Sequence, residues 1–186
     1  AYTVLWNAER MRIAKTHGIA GRCIEFLFGG PHTSQPSFIK AGVRAGDVVY
    51  PVMVRNGMVH ILAQVVAGRI VTVEEFIKAH PLLYPPELQK QSPDLTLDAG
   101  VALHPWLHAL NWSCSDHVLL AQWSSSLGTG TVLPAPMLER LTYCSRRTER
   151  GVKGIVDGRL TTIISIQGIY RLSSLSALDF ASFFPM

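Results

Sequence analysis

Two apolar runs, Asp47 to Arg55 and Met58 to Ala67, flank the dipeptide Asn56-Gly57. Both central residues of a type I′ turn need positive φ, which Asn and Gly tolerate best, so the pattern predicts a β-hairpin. If Arg55 faces Met58, then Val54, Val52, Tyr50 and Val48 face Val59, Ile61, Ala63 and Val65, all apolar. The other face sets Arg55, Met53, Pro51 and Val49 against Met58, His60, Leu62 and Gln64, which is mixed. One apolar and one mixed face predict a hairpin lying over a core. Pro51 falls where the ladder asks for an N–H it lacks, which predicts a bulge or an edge position there.

The remaining patterns predict strands and short helices in alternation. Tyr2 to Trp6 reads as a strand, Ala8 to His17 as a helix stopped by Gly18, and Cys23 to Phe28 as a second strand. The polar loop Gly29 to Ser37, with two glycines and two prolines, continues neither. Arg69 to Val73 adds a strand. Thr72 with Glu75 forms a capping box that opens a helix through about His80, ended by Pro81. Residues 81–105, rich in Pro, Gln, Ser and Asp, read as a long connection. Beyond it come a strand at Val118 to Trp123, a helix at Ala135 to Tyr143 and a pairing of Arg150–Ile155 with Leu160–Ser165 around Asp157-Gly158. The segment from Thr161 to Tyr170 alternates as a half-buried strand, and Ser173 or Ser174 caps a last helix ending near Phe184. Together these give an α+β fold with a small barrel or strongly curled sheet. The 186 residues form a single globular unit: a core at 1–80, the connection at 81–105 and a C-terminal α+β portion at 106–186.

A hydrophobic share of 48% with 16% charged residues excludes a disordered chain. No apolar run reaches the ~18 residues of a membrane span. The stretch AYTVLWNAERMR carries no secretory pattern. Cys23, Cys114 and Cys144, an odd number without short spacing, fit reduced thiols in a cytoplasm. The net charge is +4 and the pI about 9.2, a mild lean towards anionic partners. The cations gather in two zones, Arg10 to Arg55 and Arg140 to Arg159, with acidic residues between them from Glu74 to Asp116. Only folding can bring the two zones to one side.

The approach to the hairpin, Ile39-x-x-Gly42-x-x-x-Gly46-Asp47-x-Val49, resembles the Gly-Asp turn that enters a central strand in PUA-like domains, a superfamily including the PUA, ASCH, EVE, YTH and SRA families. The aromatic first strand leading through Asn7 into a helix is similar to EVE and YTH domains. The resemblance covers residues 1 to about 75, and a Gly-Asp turn is a common device in its own right. It implies a PUA-like curled sheet or small barrel with flanking short helices, and a non-catalytic module that grips nucleic acid with one base in a pocket. DNA carrying a modified, for example methylated, or flipped base is the first expectation, and structured RNA the second. Such binding asks for cations on phosphates, an aromatic on a base face and an amide on a base edge. Arg10, Arg12, Arg22, Arg146, Arg147, Arg150 and Lys153 answer the first need, Trp6 the second, and Asn7, His32, Ser34 and Gln35 the third. No cofactor and no metal belong to this reading.

Rival readings come from other classes. His104, His108, Cys114 and His117 offer nitrogen and sulfur ligands, or a thiol with a base, for a small enzyme. Their spacing matches no zinc pattern, and Pro105, Trp106 and Trp112 make the segment read equally as core. No G-x-S-x-G elbow, phosphate-binding loop or pair of carboxylates in an apolar setting is present. A protein-interaction module working through the long connection and the tryptophans is the third reading. The sequence sets no oligomeric state.

Overall fold

The computed structural model describes residues 1–31, 37–110, 114–128, 130–145 and 148–184. The first part of the chain runs β1 (Tyr2–Trp6), α1 (Ala8–Thr16), β2 (Phe26–Gly29), α2 (Phe38–Ala41), β3 (Val48–Arg55), β4 (Met58–Ile61), β5 (Val65–Thr72) and α3 (Val73–Ala79). Then follow α4 (Pro93–Leu103), β6 (His117–Ser124), β7 (Thr131–Val132), α5 (Ala135–Glu139) and β8 (Thr142–Cys144). The chain closes with β9 (Glu149–Gly151), β10 (Ile155–Val156), β11 (Arg159–Leu160), β12 (Ile169–Leu172) and α6 (Ser174–Ala181). No described helix is long and apolar enough to cross a membrane.

The hairpin forms in the expected register, with Arg55 opposite Met58, Val54 opposite Val59 and Val52 opposite Ile61. Asn56 and Gly57 take φ of 53° and 74°, as a type I′ turn requires. The ladder then stops at Pro51. The Leu62 N–H donates to the Pro51 carbonyl at 2.8 Å, but Pro51 returns no bond, and the chain leaves the ladder over residues 62–64. It rejoins as β5 with Val48 opposite Val66 and Val49 opposite Val65, one residue out of the hairpin's register. Because side chains alternate with period two, that slip sends Ala63 and Val65 to the opposite face from Val59 and Ile61.

The sheet therefore separates two cores, which corrects the expectation of one apolar and one mixed face. On one side Tyr2, Val4, Trp6, Val49, Met53, Ala63 and Val65 pack with Met11 and Ile13 of α1, Phe26, Phe28 and Phe76. On the other, Tyr50, Val52, Val59 and Ile61 pack with Leu138 of α5, Leu141, Tyr143, Leu172 and Phe180 of α6. A β-strand buried on both faces is apolar almost throughout, which is how β3 reads. The strand order is β2-β6-β5-β3-β1-β12-β8-β9, with β4 on β3 and β7 on β4. Only β1 with β3 is parallel among these pairs. The path runs from β2 to β9 without returning on itself, so the sheet is open and not a closed barrel. The C-terminal portion enters this sheet: β6 lies between β2 and β5, and β12, β8 and β9 extend it beyond β1.

Local signals held where a cap or turn specified them. Thr72 and Glu75 form the reciprocal capping box. Asp157 and Gly158 make a second positive-φ turn, and Ser173 caps α6. The pairing around that turn is only Ile155–Val156 with Arg159–Leu160, Arg150 pairs with Tyr143 instead, and Thr161 to Gly168 is not a strand. Residues 81–105 are not a plain connection but hold α4. Ser92 and Pro93 are its start, a position where proline loses no hydrogen bond, and Leu97 and Thr96 are buried. The helix at 135 ends at Glu139, because Leu141 turns into the second core and Thr142 to Cys144 join β12 as a strand. The last helix ends at Ala181, with Phe183 and Phe184 packed against the second core.

Gly100 of α4 lies against the fully buried Tyr84, and a Cβ there would come within 2.2 Å of the ring. Gly100→Ala is expected to cost about 1–3 kcal/mol in urea unfolding, as overpacking does. The Tyr84 hydroxyl has no hydrogen-bond partner among the described residues, and burial pushes its pKa well above the usual phenol range. Tyr84→Phe, which removes an unsatisfied group and keeps the ring, is expected to leave stability unchanged or raise it by up to about 1 kcal/mol.

Candidate nucleic-acid interface

The first turn of α1 is built by residues expected to touch nucleic acid, and it uses them internally. The Asn7 side chain accepts from the Arg10 N–H at 2.8 Å and caps the helix. Trp6 is 1% exposed, and the Arg10 guanidinium sits 4.2 Å from the centre of its ring. Arg10 Nε donates to the Ala109 carbonyl at 2.9 Å. Burial pulls the Arg10 pKa down to about 9, so the group is a cation at neutral pH, held by the tryptophan π-face and one carbonyl. Trp6 thus has no open face for a base, and Arg10 no free edge for a phosphate. Both lock α1 to the segment carrying Ala109.

Arg12 points the other way. Its guanidinium pairs with Glu9, with Nε 2.8 Å from Oε2, and with Lys15, Arg55, Met11, Met53 and Val54 it lines a groove of about 300 Å³ between α1 and β3. Arg55 stands at the end of β3, next to the Asn56-Gly57 turn. That turn touches the Asp157-Gly158 hairpin, where the Leu160 N–H donates to the Gly57 carbonyl at 2.8 Å. The contact is close enough that a Cβ on Gly57 would lie 2.9 Å from the Leu160 carbonyl oxygen and 3.0 Å from Arg159 Cβ. The Thr161 N–H donates to the Gly154 carbonyl at 2.7 Å, and the Ser165 hydroxyl to the Lys153 carbonyl at 2.9 Å. Short backbone contacts thereby connect the segments that carry Arg55, Arg159 and Lys153, the first from one basic zone of the sequence and the other two from the second.

Lys153 opens onto a pocket of about 660 Å³ lined by Tyr143, Cys144, Ser145, Arg150, Gly151, Ser165 and Tyr170. Strand pairing sets it up: Arg150 lies opposite Tyr143 across β8 and β9, and Leu172 opposite Tyr143 across β8 and β12. The Tyr143 and Tyr170 rings lie 4.9 Å apart and tilted by 32°. Tyr143 is the buried member, and its hydroxyl accepts from the Thr3 hydroxyl at 3.1 Å, while burial pushes its pKa well up. Tyr170 is half-buried and leaves ring surface to the pocket. The Cys144 thiol is raised above its ordinary pKa, by burial first and by Glu149 second, which keeps it protonated and poorly nucleophilic. The pocket offers cations, an aromatic face and a hydroxyl, a set suited to binding a planar anionic group.

The other expected residues fall elsewhere. Arg22 lines a different cavity, beside Trp106. His32, Ser34, Gln35, Arg146 and Arg147 lie outside the described residues. Of the alternative ligand set, His117 is 2% exposed and fully engaged: Nε2 accepts the Phe38 N–H at 3.1 Å and Nδ1 donates to the Asp116 carboxylate. It fixes the first residue of α2. His104 Nε2 lies 3.3 Å from the Leu82 carbonyl, and Cys114 is exposed at a φ of 55°. Among the described residues, no three His, Cys, Asp or Glu side chains come together to hold a metal. Sequence reasoning passed over Arg55, Arg159 and Tyr170 as site residues. A signal for the first two was present, since each arginine adjoins an Asn-Gly or Asp-Gly turn and hairpin tips are where two strand pairs can touch.

Gly57→Ala is expected to destabilise the protein by about 1–3 kcal/mol in urea unfolding, from positive φ and from contact with Leu160 together. Gly158→Ala is expected to be destabilising in the same measurement, because its φ is 69° and a Cβ there would lie 2.4 Å from the Ala135 Cβ.

The chain matches no protein-family model, no curated protein and no solved structure. The basic edge and its tyrosine pocket stand as the candidate site on their own geometry.

Proposed function

We propose that the protein is a non-catalytic nucleic-acid-binding module that lays a phosphate backbone along Arg12, Lys15, Arg55, Arg159 and Lys153 and takes one unstacked base against Tyr170. The observation that supports this reading is the hydrogen bond between the two hairpin tips, Leu160 N–H to Gly57 carbonyl, which brings the backbone of Arg159 close to the turn that follows Arg55. Exposed arginines and lysines on such an edge are well hydrated until a polyanion releases its counterions, and that release supplies the affinity. Arg150, beside the pocket, holds the phosphate of the inserted nucleotide, and Ser165 offers a hydroxyl to its base or sugar. The PUA-like resemblance of the first 75 or so residues supports a base held out of its stack. It favours DNA with a modified or flipped base over structured RNA. In this reading the base sits on the β8–β9–β12 end of an open sheet and not inside a barrel.

The test is fluorescence anisotropy at two salt concentrations, with plain duplex, base-modified duplex, single-stranded DNA and a structured RNA. Each phosphate contact contributes a log–log slope of about −0.9 on B-DNA. Replacing Arg55, Lys153 and Arg159 together by Ala is expected to flatten the slope by about 2–3 and weaken every ligand alike. Tyr170→Leu is expected to keep the slope while losing about ten-fold or more in affinity for the preferred ligand, as lost base stacking does. A slope unchanged by the triple replacement sinks the reading.

A further inference from the structure

A second cavity, of about 270 Å³, lies away from the basic edge, between the loop after α1 and the segment that carries Trp106. Its wall is held rigid by backbone pairing. The Gly21 N–H donates to the Leu127 carbonyl at 2.7 Å, the Leu127 N–H to the Arg22 carbonyl at 2.8 Å, and the Ala121 N–H to the Glu25 carbonyl at 2.8 Å. The Ile24 N–H donates to the buried Ser124 hydroxyl at 2.6 Å. Ile19, Ile24, Leu110 and Leu127 make an apolar floor, and Phe26 and Trp106 stand together on it with ring centres 6.1 Å apart at 50°. At the rim are Arg22 and Glu25, with His17. Among the described residues neither the Arg22 guanidinium nor the Glu25 carboxylate has a hydrogen-bonded or ionic partner, and they do not pair with each other.

From this we infer that the cavity is a binding site for a free α-amino acid with an aromatic or large aliphatic side chain. The size sets the upper limit, because the space is just under the roughly 300 Å³ at which drug-sized ligands begin to fit, enough for one ring. The two aromatic walls favour edge or offset contact with a further ring. The rim sets the charge. A plain anion on Arg22 meets Glu25, and a plain cation on Glu25 meets Arg22, whereas a zwitterion satisfies both. Its carboxylate is taken by the Arg22 fork and its ammonium by Glu25, with the side chain turned onto Phe26 and Trp106. The exposed Cys23 lines the same cavity, and its thiol reports occupancy.

The experiment titrates the full chain with L-phenylalanine and follows iodoacetamide alkylation of Cys23 by mass spectrometry, with the exposed Cys114 as internal reference. Saturable protection of Cys23 by about ten-fold, with Cys114 unchanged, is the expected result. 3-Phenylpropionate, which lacks the ammonium, and phenethylamine, which lacks the carboxylate, are each expected to bind about ten-fold more weakly. Arg22→Gln is expected to weaken L-phenylalanine to the same degree while leaving the anisotropy salt slope for nucleic acid untouched, a readout separate from the basic edge. Absence of protection overturns the site. So does equal binding of 3-phenylpropionate, or an Arg22→Gln variant that binds L-phenylalanine as the parent does.

Discussion

Pro51 has no N–H to give, and strand β3 cannot carry an unbroken ladder past it. Everything along the neighbouring edge of β3 follows. The hairpin pairing ends at Val52, the chain swings out over residues 62–64, and β5 returns one residue out of step. The slip puts Val59 and Ile61 on one face and Ala63 and Val65 on the other, so a single strand pair feeds both cores. It also leaves the outer half of the hairpin to stand beyond β5. There β7 pairs with β4 and the β10–β11 turn rests on Gly57.

The same backbone arrangement decides which cations face water. Arg10 is one helical turn after the cap residue Asn7, on the side of α1 that faces the sheet, and it is spent on Trp6 and the Ala109 carbonyl. Arg12, two residues on, comes out on the opposite side and joins Lys15 and Arg55 at the groove. Adjacent arginines of one basic zone therefore do different physical jobs. A buried guanidinium over an indole stabilises the joint between two elements, and the exposed Arg12 stays in water, paired with Glu9. The tyrosine pair follows the same division. Tyr143, hydrogen-bonded to Thr3, belongs to the core, and Tyr170 beside it is half-buried and lines the pocket.

The two cavities differ in size and in the charges that border them. The pocket beside Tyr170 is wide and bordered by Arg150 and Lys153. The space beside Trp106 is less than half its volume, apolar at its floor and bordered by one charge of each sign. On the two readings proposed above, salt weakens recognition at the first steeply. It acts less on the second, where the charges are matched at short range and the body of the ligand is desolvated.

The sequence by itself determined the features that depend on neighbours in the chain. The Asn56-Gly57 turn and its register, the Thr72–Glu75 capping box, the Asp157-Gly158 turn, the Ser173 cap and the break at Pro51 are each set by φ preferences or by donors within a few residues. Helix α4 was hidden because its Pro, Ser and Asp are cap residues that also suit a loop, and its contact of Gly100 with the buried Tyr84 is long-range. What the tertiary structure alone decided is which of several chemically equivalent residues are exposed and which distant segments meet. Trp6 and Tyr170 are both aromatics on strands, and only packing buries the first and opens the second. Arg55 and Arg159 lie a hundred residues apart in the chain and come together because two turns share one hydrogen bond. The openness of the sheet is likewise beyond local pattern, because closure depends on whether β2 and β9 find each other at the far ends of the strand order.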